Sequence, residues 1–105
     1  MQVKALIRRT LVKEKEKELF SLIQQLRSRA ARHKGYISSE IVWNVEDLKE
    51  SVSITTWRDL NAWKKWLEDE VQKELQKKID ALGCVTRYEI YAFPEFEGDV
   101  PMPML

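Results

Sequence analysis

The 105-residue chain carries 18 lysines and arginines against 17 acids, a formal net charge of +1, with 44% hydrophobic residues. A chain of this length buries roughly 65% of its unfolded surface as one domain, and its balanced charge excludes the strongly basic surface of a nucleic-acid binder. No apolar run approaches the roughly 18 residues of a membrane span, the start MQVKALIRRT reads as no secretory leader, and one cysteine closes no internal disulfide, so a cytoplasmic protein with no membrane partner is expected.

Gln2 to Arg9 alternates, with Val3, Ala5 and Ile7 on one face and Leu6 on the other, which predicts a first strand covered on both sides. After the charged run KEKEKE, Leu19, Leu22, Ile23, Leu26 and Ala30 recur at helical spacing beside Phe20. This predicts an amphipathic helix over about 14–32. Arg27, Arg29, Arg32, His33 and Lys34 crowd its last turns, where the negative end of the helix dipole favours cations, and Gly35 stops it. Tyr36 to Val45 reads as a second strand, with Ile37, Ile41, Trp43 and Val45 on one face and Tyr36, Ser38, Glu40, Val42 and Asn44 on the other. A polar hairpin connection, Glu46 to Glu50, leads into a third strand, Ser51 to Trp57, with Val52 and Ile54 opposite Ser53, Thr55 and Trp57.

The longest helical pattern follows in WRDLNAWKKWLEDEVQKELQKKIDAL, Trp57 to Leu82, which holds three of the four tryptophans. Asp59 is placed to cap it by accepting bonds from unpaired backbone N–H groups. Leu60, Trp63, Leu67, Val71, Leu75, Ile79 and Leu82 form the apolar stripe, and a break is expected near Glu68 to Glu70. Trp66 sits about 60° round the helix from Trp63, on the flank where a side chain can line a cavity. Gly83 ends the pattern, Cys84 to Phe93 gives a fourth strand rich in β-branched and aromatic groups, and Pro94 closes it. Cys84 reads as a small buried hydrophobe without a partner for nucleophilic or metal chemistry. Residues 1–93 are read as the domain, and 94–105 as a tail holding all three prolines and no strand or helix period.

The order β-α-β-β-α-β predicts an α+β, ferredoxin-like fold with a four-stranded antiparallel sheet and helices on one face. Apolar groups on the other face predict a homodimer joined sheet to sheet.

The run GYISSEIVWN, followed by the hairpin into SITTWRDLNAWKKWLEDEVQKELQKKID, resembles the antibiotic biosynthesis monooxygenase family of the dimeric α+β barrel superfamily. The similarity covers residues 2 to 93, through the glycine-led second strand, the strand-ending tryptophan with its polar helix cap, and the AW..WL helix. It implies either cofactor-independent oxygenation of a phenolic or quinol-type aromatic or, in another branch, haem degradation. The haem-degrading pattern has a histidine ten positions after the helix tryptophan and an asparagine in the first strand. Trp66 matches the tryptophan, but Gln76 and Ile7 stand at the other two positions, so haem is not expected and no cofactor is assigned.

A cofactor-free oxygenase needs an apolar cavity for a flat substrate and one or two polar groups that favour its deprotonated form. Trp66, Asn44, Arg87 and Tyr88 are the candidate site residues, with Trp43, Trp57 and Tyr91 as further aromatics of the pocket by strand position. The alternative is a non-catalytic module of the same fold that binds a small apolar ligand or serves only as a structural dimer.

Overall fold

The computed structural model describes residues 1–94, 96–97 and 100–101. Its elements are β1 (Val3–Thr10), α1 (Glu16–Ala30), β2 (Tyr36–Trp43), β3 (Glu50–Trp57), α2 (Leu60–Leu67), α3 (Glu70–Ala81) and β4 (Thr86–Ala92). The four strands form one antiparallel sheet in the order β2-β3-β1-β4. This is the expected ferredoxin-like arrangement. One face of the sheet packs on the helices, because Val3, Ala5 and Ile7 join Leu19, Ile23, Leu26, Trp63, Trp66, Leu75 and Ile79 in a single buried cluster. Trp57, Leu19 and Ile79 are wholly enclosed there, and full burial of such side chains contributes about 1.5–3 kcal/mol each.

Pairing carries the alternation of β1 across the sheet. Ala5 stands opposite Thr55 and Ile90, Ile7 opposite Ser53 and Tyr88, and Arg9 opposite Ser51 and Thr86. The helix-facing row of β3 is therefore Ser51, Ser53, Thr55 and Trp57, and three of these four are short and hydroxylic. Small side chains opposite large helical ones leave space between the layers.

Three expectations change. The β2 register shifts between Tyr36 and Ser38, a bulge that puts Ile37 out of phase with Ile41 and Trp43. Ile37 is consequently exposed, while Tyr36 meets Trp57 edge-on with ring centres 5.6 Å apart. The strand also stops at Trp43 rather than Val45, since the Asn44 Oδ1 accepts from the backbone N–H groups of Glu46 at 2.9 Å and Asp47 at 3.3 Å. That Asx turn ends the extended chain. Finally, the break in the long helical segment falls where expected, at Glu68 and Asp69, but it rotates the apolar stripe. Leu60 and Val71 lie exposed, and the buried residues are Ala62, Trp63 and Trp66 in α2 and Gln72, Leu75 and Ile79 in α3.

The starts of α2 and α3 are capped by aspartates. The Asp59 carboxylate accepts from the Ala62 N–H at 2.8 Å, and the Asp69 carboxylate accepts from those of Val71 and Gln72 at 2.8 and 3.0 Å. Much of the expected tail, 94–105, lies outside the described residues. Its described part pairs Phe96–Glu97 (β5) with Val100–Pro101 (β6), antiparallel, a pairing for which the composition offers no alternation. None of the described helices is long and apolar enough to cross a membrane.

Candidate functional site

The space left by the short side chains of β3 is a cavity of about 30 Å³ between sheet and helices. Ile7, Arg9, Ser53, Thr55 and Tyr88 form its floor, and Ile23, Leu26, Trp63, Trp66 and Gln72 are among the helical residues above. That volume holds roughly two water molecules, or the polar end of a ligand, but no aromatic ring. Tyr88 is 41% exposed and meets Trp63 edge-on with ring centres 5.7 Å apart, so it reaches from the cavity to solvent. Trp66 stacks on Trp57 at 6.2 Å with an interplanar angle of 23°. The helical wall is thus a rigid aromatic block.

Arg9 is the unusual member of the floor. It is 3% exposed, yet its Nε has no hydrogen-bond partner. Its Nη2 donates to the Gln76 Oε1 at 3.1 Å, and the Gln76 Nε2 donates in turn to Asp80 at 2.9 Å and to the Thr86 hydroxyl at 3.2 Å. The amide of Gln76 so stands between the arginine and the acid. Burial holds the Arg9 pKa below the usual guanidinium value, against the opposing influence of Tyr88, Cys84 and Asp80. The Tyr88 phenol is pushed up, chiefly by burial, although Arg9 draws it down.

Behind Trp66 lies a second polar group. Asp69 accepts from the Arg29 Nε at 3.2 Å and pairs with the His33 Nε2 at 2.6 Å, and the His33 ring meets Trp66 edge-on at 5.2 Å. Burial alone would raise the Asp69 pKa, but the bonds from His33, the Gln72 N–H and Arg29 outweigh it and lower the value to about 2. The only histidine therefore does more than end a surface helix: it ties α1 to the α2–α3 junction.

Of the four candidate residues, the structure brings Trp66 and Tyr88 together at the cavity and leaves Asn44 and Arg87 out. Asn44 closes the β2–β3 turn. Arg87 lies on the outer sheet face opposite Arg8 and reaches Glu50 at 3.8 Å. Trp43 packs edge-on against Phe20 at 5.2 Å, Trp57 is closed into the core, and Tyr91 donates to Glu89 on the outer face. Sequence reasoning missed Arg9, Ser53, Thr55 and Gln72. The signal for Arg9 was its place in the alternation Val3, Ala5, Ile7, Arg9, which turns it inward. Gln76 has both ends of its amide engaged and Ile7 supplies a hydrocarbon wall, so neither presents a ligand for haem iron.

The family model for antibiotic biosynthesis monooxygenase matches residues 3–78. Among solved structures, the chain is similar to a conserved protein from Methanosarcina mazei Go1, with 17% identity and a TM-score of 0.78 over 87% of this chain and 91% of that one. It is also similar to SnoaB, a cofactor-independent oxygenase from Streptomyces nogalater, with 16% identity and a TM-score of 0.79 over 93% and 98%. Rv0793 from Mycobacterium tuberculosis shares 14% identity, with a TM-score of 0.79 over 94% and 100%. At these identities the likeness is one of fold. No curated protein sequence matches the chain.

Proposed function

Since the chain belongs to the antibiotic biosynthesis monooxygenase family, we propose that it is a cofactor-independent monooxygenase acting on a phenolic or quinol-type aromatic small molecule. The observation that carries this is the cavity itself, walled by Trp63 and Trp66 and floored by Arg9, Ser53, Thr55 and Tyr88. In such chemistry the substrate is the reductant: its electron-rich carbon, formed by loss of a proton, reacts with dioxygen. Where that carbon is a methylene, one oxygen atom becomes the new carbonyl, and the other leaves as water with both hydrogens. The tryptophan wall would keep water from the reacting carbon, and the hydroxyls of Ser53 and Thr55 would orient the substrate oxygen. Entry of a ring requires Tyr88 to swing from the mouth.

The working form we propose is a homodimer joined through the outer sheet face, in the cytoplasm, where a buried free thiol such as Cys84 stays reduced. The function is assigned to residues 1–93. Oxygen uptake with a panel of hydroquinones and anthrones tests it: wild type should exceed the buffer rate and Trp66→Phe should fall at least about tenfold below wild type. No rate above buffer for any substrate would overturn it.

A second proposal, a binding module without chemistry, is favoured by one feature. Among the described cavity residues there is no Asp, Glu or His to take a proton. Mass spectrometry of natively purified protein that finds a retained aromatic, together with no oxygen uptake, would select it.

A further inference from the structure

We propose that Arg9 is the anion-binding residue of the cavity, and that the ligand enters with an ionised oxygen, of a phenolate, an enolate or a carboxylate, seated against the Arg9 guanidinium. The proposal rests on the cavity taking a small molecule, as above, and adds the charge of the group that goes in first.

A guanidinium has five N–H donors and cannot shed its charge by ordinary deprotonation. Buried, it is normally matched by a carboxylate, because an unmatched charge in a protein interior is costly. Arg9 is 3% exposed and forms no ion pair among the described residues, and its Nε is the one buried side-chain nitrogen or oxygen there without a partner. The nearest acid along its network, Asp80, is separated from it by the amide of Gln76, which bonds Arg9 through Oε1 and Asp80 through Nε2. That arrangement fixes the head of Arg9 without neutralising it.

The walls repeat the same bias. The cavity is lined by two arginines, Arg9 and Arg27, and by no acid, with the hydroxyls of Ser53 and Thr55 and the amide of Gln72 as further donors. The Arg27 guanidinium is partly engaged, through Nε to Ser39 at 3.3 Å and Nη1 to Gln24 at 3.3 Å, whereas the Arg9 Nε is bonded to nothing. Ile7, Ile23, Leu26, Ala30 and the two tryptophans complete the lining with hydrocarbon, so an ion pair formed inside would be little screened. A cavity of about 30 Å³ admits an oxygen and the atoms bonded to it, which places the charged tip at Arg9 and the rest of the ligand toward Tyr88.

Three probes test this on the intact protein: 4-nitrophenol, benzoate and the neutral ether 4-nitroanisole, each with wild type, Arg9→Lys and Arg9→Met. Wild type should bind 4-nitrophenol as its phenolate and lower the pKa of the bound phenol by about one unit, the equivalent of a tenfold preference for the anion. Arg9→Met should lose at least about tenfold in anion affinity and bind 4-nitroanisole as wild type does, while Arg9→Lys should retain part of the anion binding. Thermal unfolding of Arg9→Met should be no lower than that of wild type, an outcome that a purely structural arginine would not give. Equal binding of the phenolate by Arg9→Met, or tighter binding of the ether than of the phenolate by wild type, would overturn the proposal. If Arg9→Met does not fold, the wild-type preference and Arg9→Lys decide by the same criteria. Arg9-dependent binding of benzoate with none of 4-nitrophenol would uphold the anion site and remove the phenolic substrate. Oxygen uptake enters none of these measurements, so failure of the oxygenase proposal would leave them standing.

Discussion

Asp69 combines three tasks in one carboxylate: it caps α3, pairs with Arg29 and His33, and through the His33 ring braces Trp66. Its pKa is lowered from the ordinary 3.8 to about 2 in the fold. Because the folded value lies below the unfolded one, its stabilisation is complete above pH 4 or so and fades as pH falls toward 2. Asp69→Ala should cost about 2 kcal/mol at neutral pH, from the lost cap and the stranded partners. Urea unfolding at pH 7, 4 and 3 should show the gap between variant and wild type narrowing at the acid end. Gln76→Leu removes the amide that holds the Arg9 head and receives the Tyr88 hydroxyl at 3.4 Å, and should cost about 1–3 kcal/mol in the same measurement. At this scale legibility in the sequence was uneven. Trp66 and Tyr88 could be picked out by helix angle and strand position. Arg9 was passed over although the alternation turns it inward, since an arginine near the end of a strand reads as a surface charge until the register places it over Ser51 and Thr86. Asn44 and Arg87 looked equally suitable by type, and only the turn geometry and the outward face of β4 remove them from the cavity.

Two glycines show how differently an element boundary can constrain a residue. Gly35, between α1 and β2, has φ +93°, and a Cβ there would lie 2.6 Å from the Ala62 side chain at the start of α2. Gly83, between α3 and β4, has φ +89° but open space around it. Gly83→Ala should therefore cost only backbone strain, about 1 kcal/mol, and Gly35→Ala about 3 kcal/mol, since the close contact adds to the strain. Chemical denaturation of the two variants checks the ratio. Both glycines were legible as stops, but the crowding at Gly35 is tertiary and invisible in the chain. The helix break was likewise legible at Glu68 to Glu70. Its effect on the stripe was not, because a single helical wheel cannot follow an axis that restarts at Asp69, and so Val71 was assigned inward when it faces out; Leu60, at the first position of α2, is exposed ahead of the break.

For the molecule as a whole, hydrophobic period and glycine punctuation sufficed to read the β-α-β-β-α-β order, since each element announces itself locally. The cavity needed more, because its shape depends on β3 facing the helices with Ser51, Ser53 and Thr55, a matter of strand phase and pairing. The outer face carries Leu6 opposite Ile54 near its middle, with Val42, Tyr91 and Phe93 exposed toward its margins. If two copies join there as proposed, Ile54→Lys should convert a dimer to a monomer in sedimentation velocity, as a lysine ammonium would be forced into the apolar centre of the interface. A wild type that is monomeric at all concentrations would refute the arrangement. The tryptophan block has a use apart from its walls. Trp57 lies 6.1 Å from Trp63 and 6.2 Å from Trp66, close enough for their excited states to couple, while Trp43 stands apart on Phe20. The protein thus carries its own optical gauge: a ligand that nudges Trp63 or Trp66 alters the near-ultraviolet circular dichroism of the trio, and occupancy can be followed without a label.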